Sequence, residues 1–95
     1  MHPVIRSFRH KGLRALFETG KTAAVHKPLH DRCLRRLDVL NSAKSLQNLN
    51  VPGFDFHALK GFKPVRYTLH VNGPWCITFE FSDGDAFAVD LEQYH

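Results

Sequence analysis

Cysteine is scarce in this chain, and long apolar runs are absent. Cys33 and Cys76 are the two thiols, and they lack the close spacing of paired zinc ligands. Neither a disulfide framework nor a Cys-based metal site is expected. The longest uninterrupted apolar stretch is Ala86–Val89, far below a membrane span, and the first thirty residues hold no apolar segment of a secretion signal. A cytoplasmic protein without membrane contact is expected. There is no Gly-rich phosphate loop, no G-x-S-x-G elbow and no paired-Cys motif, which sets aside the commonest nucleotide-hydrolysing, esterase and zinc-binding classes.

What is present suits one small domain over residues 1–95. The chain has 95 residues, a length at which folding hides roughly 60% of the unfolded surface. Hydrophobic residues make up 43% and charged residues 23%, so a folded core is expected rather than a disordered tail. Eight phenylalanines supply much of that core. The formal charge of +4 is unevenly placed: residues 1–36 carry +7 and residues 37–95 carry −3. From Phe79 onward there are five acids and neither Lys nor Arg. Attraction to an anionic partner therefore rests with the N-terminal half and the Lys60 to Arg66 segment.

Periodicity predicts an α+β fold. Val4–Phe8 reads as a short strand and Lys11–Glu18 as a helix gathering Leu13, Leu16 and Phe17, with Gly20 as its stop. Leu29, Cys33, Leu37 and Leu40 recur at helical spacing behind Pro28, while Arg32, Arg35 and Arg36 read as a solvated helix face. Another helical turn fits 44–49. Four alternating strands follow, beginning with Phe54–Leu59. A three-residue loop at Asn72-Gly73-Pro74 would pair Leu69 with Ile77 and Tyr67 with Phe79, and a second at Ser82-Asp83-Gly84 would pair Phe79 with Phe87 and Ile77 with Val89. Two N-terminal helices are then expected on one face of a mostly antiparallel, twisted sheet of four to five strands. The opposite face would carry His70 beside Cys76, Thr68 beside Thr78 and Arg66 beside Glu80, with Ala86 and Ala88 leaving room above the last strand.

Seven histidines stand out. His26 and His30 are four apart, but Pro28 lies between them, so surface histidines are expected there, as they are for His2 and His10. His70 reads equally as a ligand-facing group or a strand residue on a wet face. His57 ends an alternating strand immediately before a turn bearing Lys60 and Lys63, and the chain closes on Gln93-Tyr94-His95 after the last strand. RNA carries its own nucleophile, the 2′-hydroxyl. A protein that cuts it must remove that proton, protonate the departing oxygen and place positive charge against the phosphate. Imidazoles suit the first two tasks and Lys or Arg the third.

Three stretches resemble the HigB-type toxins of the RelE/ParE superfamily. They are Ile5-Arg6-Ser7-Phe8 with Lys11-Gly12-Leu13, His57-Ala58-Leu59-Lys60-Gly61, and Trp75 to Phe79 running through Gly84-Asp85 to Tyr94-His95. The resemblance implies a RelE-like toxin that cuts mRNA in the ribosomal A site with no cofactor or metal. It implies a HigA-like helix-turn-helix antitoxin as partner, with operator DNA met through the toxin–antitoxin complex. By position, His57 and His95 match the family's catalytic histidines, Tyr94 its substrate-orienting aromatic and Lys60 its phosphate contact. Lys63, Arg66, His70 and Gln93 are added as candidate RNA contacts. Three positions depart from the family pattern: Cys76 and His70 stand where arginines are common, and Gln93 where some relatives have an acid. A non-catalytic co-repressor that only binds antitoxin is the alternative, and a gyrase-directed toxin a third reading.

Overall fold

The computed structural model of the chain describes residues 4–93. The first helix, α1 (Lys11–Thr19), starts where the His10 side chain accepts a hydrogen bond from the Leu13 N–H at 2.9 Å. His10 is thus a half-buried helix cap rather than a solvated side chain. A Cβ on Gly12 would meet the Ala24 Cβ at 2.5 Å, so only glycine admits that loop. The helix ends at Gly20, whose φ of 79° turns its N–H back to the Leu16 carbonyl, the expected stop. The second helix, α2 (His30–Ser42), follows a single 3-10 turn at Lys27–Leu29 with Pro28 inside it. Leu29, Cys33, Leu37 and Leu40 are all buried, as their spacing predicts. Another 3-10 turn spans Leu46–Leu49.

Four strands form one antiparallel sheet in sequence order: β1 (His57–Leu59), β2 (Arg66–Asn72), β3 (Trp75–Ser82) and β4 (Asp85–Gln93). Apolar side chains of both helices and of one sheet face share a single core, in which Phe54, Phe79, Leu69 and Ile77 are essentially inaccessible. Each such burial is worth roughly 1.5–3 kcal/mol. The expected Phe54–Leu59 strand is shorter than its alternation suggested. Asp55 adopts φ 48°, which ends the extended run, and only His57–Leu59 pairs with β2. The expected first strand at Val4–Phe8 is reduced to two isolated parallel bridges, Ile5 to Ala86 and Phe8 to Val89. Asn41 at the end of α2 holds its start, accepting from the Val4 and Ile5 N–H groups.

The central register is as the pattern predicts: Tyr67 faces Phe79, Leu69 faces Ile77, His70 faces Cys76 and Arg66 faces Glu80. Both hairpins differ at their turns. Each closes on two residues, not three, and compensates with a bulge. Asn72 pairs with Trp75 across Gly73-Pro74, and the extra residue is absorbed between His70 and Asn72, so Val71 stays in the core. At the second hairpin Ser82 pairs with Asp85 across Asp83-Gly84, both at positive φ, the geometry that matches strand twist. Phe81 then faces Ala86 and Glu80 faces Phe87. A bulge at Ala88, φ 50°, returns Val89 and Leu91 to the core, with Ile77 opposite Leu91. The expected pairs Phe79 with Phe87 and Ile77 with Val89 are therefore corrected. Ala86 faces the core, and the room expected above it is taken by Phe87 on the other face.

Candidate active site

The face of the sheet away from the core carries two cross-strand rows. One runs His57, Thr68, Thr78, Asp90, and the next runs His70, Cys76, Glu92. Between their β1 and β3 ends lies a cavity of about 350 Å³ lined by Asp55, His57, Thr68, His70 and Cys76, with Leu59 and Gly73 at its rim. The sheet register thus brings His57 and His70 into one site.

Both imidazoles are oriented by backbone carbonyls. His57 Nδ1 lies 2.8 Å from the Asp55 carbonyl oxygen. A carbonyl only accepts, so Nδ1 carries the proton and the neutral ring keeps its lone pair on Nε2. His70 Nε2 donates to the Gly73 carbonyl at 3.0 Å, leaving Nδ1 as the other nitrogen. The His57 side chain is 53% exposed, open enough to meet a substrate. Thr68 is 2% exposed and its Oγ1 has no hydrogen-bond partner among the described residues, so it offers a hydroxyl to a polar ligand atom.

The cations separate into two groups. Lys60 and Lys63 stand exposed in the connection from β1 to β2. Arg66, grouped with them from sequence, is 3% exposed and turned inward. Its Nη1 is 3.2 Å from a Glu80 carboxylate oxygen, and its Nη2 donates to Thr78 Oγ1 at 3.1 Å and to the Ala88 carbonyl at 2.8 Å. Arg66 therefore braces the bulge of β4. The Thr78 hydroxyl passes its own proton to the Glu92 carboxylate. Arg36 also departs from expectation: it is buried, not part of a solvated face.

Gln93 pairs with Trp75 and falls in the register set of Leu91, opposite to the His57 face. Glu92, not Asp90, is the neighbour of Cys76, and Asp90 is the neighbour of Thr78. These two carboxylates on the site face are what sequence reasoning missed. The signal was the two-residue Asp83-Gly84 turn, which with its bulge sets the parity of β4. Tyr94 and His95 lie outside the described residues.

Residues 6–95 match the family model of the RelE-like toxin of the type II toxin–antitoxin system HigB. The chain belongs to the HigB toxin family. It is also similar to the endoribonuclease HigB of Proteus vulgaris, 39% identical over 92 residues that cover 97% of this chain and 100% of that protein. A HigB toxin of a type II system has an antitoxin as its partner. The helix-plus-sheet architecture agrees with a RelE-like fold. No helix among the described residues is long and apolar enough to cross a membrane.

Proposed function

We propose that this toxin is a cytoplasmic, ribosome-dependent endoribonuclease that cleaves mRNA in the A site and is neutralised by a HigA-like helix-turn-helix antitoxin, through which it meets operator DNA. The observation that carries the reading is the His57 ring, held by the Asp55 carbonyl so that Nε2 remains an acceptor beside the cavity. In this reading Nε2 takes the proton of the substrate 2′-hydroxyl. The 2′-oxygen attacks the adjacent phosphorus, the bond to the 5′-oxygen breaks, and His95 protonates that leaving oxygen. The products are a 2′,3′-cyclic phosphate and a 5′-hydroxyl. Lys60 and Lys63 supply positive charge to the phosphate, His70 and Thr68 hydrogen-bond it from the cavity wall, and Tyr94 stacks on a base. Arg66 serves as a brace in this scheme, and Gln93 contacts RNA only from the strand's end.

Mapping mRNA 5′ ends on programmed ribosomes tests this. Wild-type toxin is expected to cut within the A-site codon, and His57→Ala or removal of Tyr94-His95 to abolish cutting. Undiminished cleavage by both variants would sink the assignment. The co-repressor reading keeps one supporting observation: Cys76 occupies a family arginine position, and Arg66 on the same face points inward. Tight antitoxin binding with no cut at any codon would favour it.

A further inference from the structure

A second basic site lies between α2 and the turn at residues 52–54. There a notch of about 490 Å³ is lined by Arg32, Arg35, Arg36 and Phe54, with Asp31 as its one carboxylate. The three arginines occupy positions i, i+3 and i+4 and so share one helix face. Arg36 is pinned at its base: Nε donates to the His70 carbonyl at 2.6 Å, Nη1 donates to the Arg32 carbonyl at 3.1 Å, and the guanidinium carbon lies 4.5 Å from the Phe54 ring centroid. Its Nη2 has no hydrogen-bond partner, and Arg32 and Arg35 form no ion pair, among the described residues. Burial lowers the Arg36 pKa, and the charges of Arg32 and Arg35 lower it further. Like charges gathered around a fixed guanidinium are relieved by an anion.

We propose that this notch is a phosphodiester-binding subsite for RNA, distinct from the catalytic cavity, with Arg36 as its rigid donor and Arg32 and Arg35 as the arms that close on the phosphate. Planar guanidinium forks match phosphate oxygens, and a pinned one loses little freedom on binding. An acidic protein segment fits less well. Such an interface needs an apolar anchor, and Phe54, 1% exposed and covered by Arg36, offers none. The notch also adjoins the catalytic cavity through shared backbone. The His70 carbonyl holds Arg36, the His70 N–H donates to the Phe54 carbonyl at 2.6 Å, and the next residue, Asp55, orients His57. RNA engaged at His57 can therefore place another phosphate around this edge. The inference rests on the endoribonuclease reading for the class of its ligand, and the phosphate belongs either to flanking mRNA or to ribosomal RNA.

The test is the full-length double variant Arg32→Gln, Arg35→Gln, two exposed positions whose change leaves the core intact. Its affinity for vacant and for mRNA-programmed ribosomes is measured across a salt series, beside antitoxin affinity and single-turnover cleavage. Ribosome affinity is expected to fall about tenfold or more at low salt, and the log–log salt slope to shrink by about 1.4–1.8 for two lost phosphate charges. Antitoxin affinity and the saturated cleavage rate stay at wild-type level. A loss on vacant ribosomes assigns the phosphate to ribosomal RNA, and a loss on programmed ribosomes alone assigns it to mRNA. Unchanged ribosome affinity, or a fall confined to antitoxin affinity, overturns the subsite. Wild-type toxin that binds ribosomes but never cuts would strike the catalytic reading alone, since the subsite is judged on binding.

Discussion

The His57 Nδ1 proton is held by the carbonyl oxygen of Asp55, two residues earlier, at 2.8 Å, while the Asp55 carboxylate stands 3.9 Å from the same nitrogen. The backbone of Asp55, more than its charge, sets the tautomer. Asp55 has φ 48°, which Asn tolerates and a β-branched residue does not. Asp55→Asn is therefore expected to keep cleavage within about threefold of wild type, and Asp55→Val to lower it about tenfold or more by misplacing the carbonyl. His57→Ala removes the base and is expected to lose about 10²–10⁴-fold. Single-turnover cleavage on programmed ribosomes measures all three. A larger loss for Asn than for Val would mean that the carboxylate, not the carbonyl, matters.

Arg66 and the two lysines are expected to fail in different ways. Removing the 3% exposed Arg66 as Arg66→Met leaves Glu80, Thr78 and the Ala88 carbonyl without their donor. Because Glu80 is partly exposed, the cost falls below that of a fully buried pair, at about 2–3 kcal/mol. Denaturant midpoints would show it. Lys60→Ala and Lys63→Ala change exposed side chains, so stability stays within about 0.5 kcal/mol while ribosome affinity falls and its salt dependence weakens. A stable Arg66→Met protein would show that the brace contributes little.

Legibility in the sequence followed the periodicity of each segment. Leu29, Cys33, Leu37 and Leu40 mark α2 because one helix face meets the core, and Tyr67, Leu69, Ile77 and Phe79 set the central register because they alternate cleanly. Strand β4 defeated the same argument. Ala86, Val89 and Leu91 face the core across a bulge, and no uniform period of two contains all three. That single shift moved Phe87 to the other face and made Glu92 the neighbour of Cys76. Arg36 was illegible for another reason. A cation on a helix reads as solvated unless one knows that the His70 carbonyl and the Phe54 ring, both distant in sequence, close over it.

The two thiols are expected to differ in reactivity. Burial pushes Cys33 up to about 11, only partly offset by the Arg36 charge, whereas Cys76 is partly exposed in the cavity wall. A maleimide at neutral pH should modify Cys76 in the folded protein and reach Cys33 only after denaturation. The raised value also predicts a pH dependence of stability. The folded state holds the Cys33 proton more tightly than the unfolded chain, so this contribution is complete below about pH 9 and is lost as pH rises through about 11. The denaturation midpoint should fall across that window by an amount on the order of 2 kcal/mol. A Cys33→Ala protein, less stable at neutral pH, should lack that fall. Equal labelling of both thiols in native buffer would contradict the buried placement.

Cys76 faces His70 on one side and Glu92 on the other, in the row adjoining His57. An arginine there would carry its guanidinium over the cavity that holds the two imidazoles, and Glu92 stands near enough to orient it. The backbone is already extended and the position partly exposed, so the longer side chain is accommodated without opening the core. A charge-assisted pair of hydrogen bonds to the scissile phosphate strengthens as negative charge builds in the transition state. Cys76→Arg is accordingly expected to raise the saturated cleavage rate about tenfold or more and to leave antitoxin affinity unchanged. Cys76→Lys, with a point charge and no fork, should gain less. Single-turnover rates of the three proteins on the same programmed ribosomes decide the matter. If arginine gives no gain while the fold is kept, the phosphate does not pass over this row, and the path of RNA across the sheet must lie nearer Lys60 and Lys63.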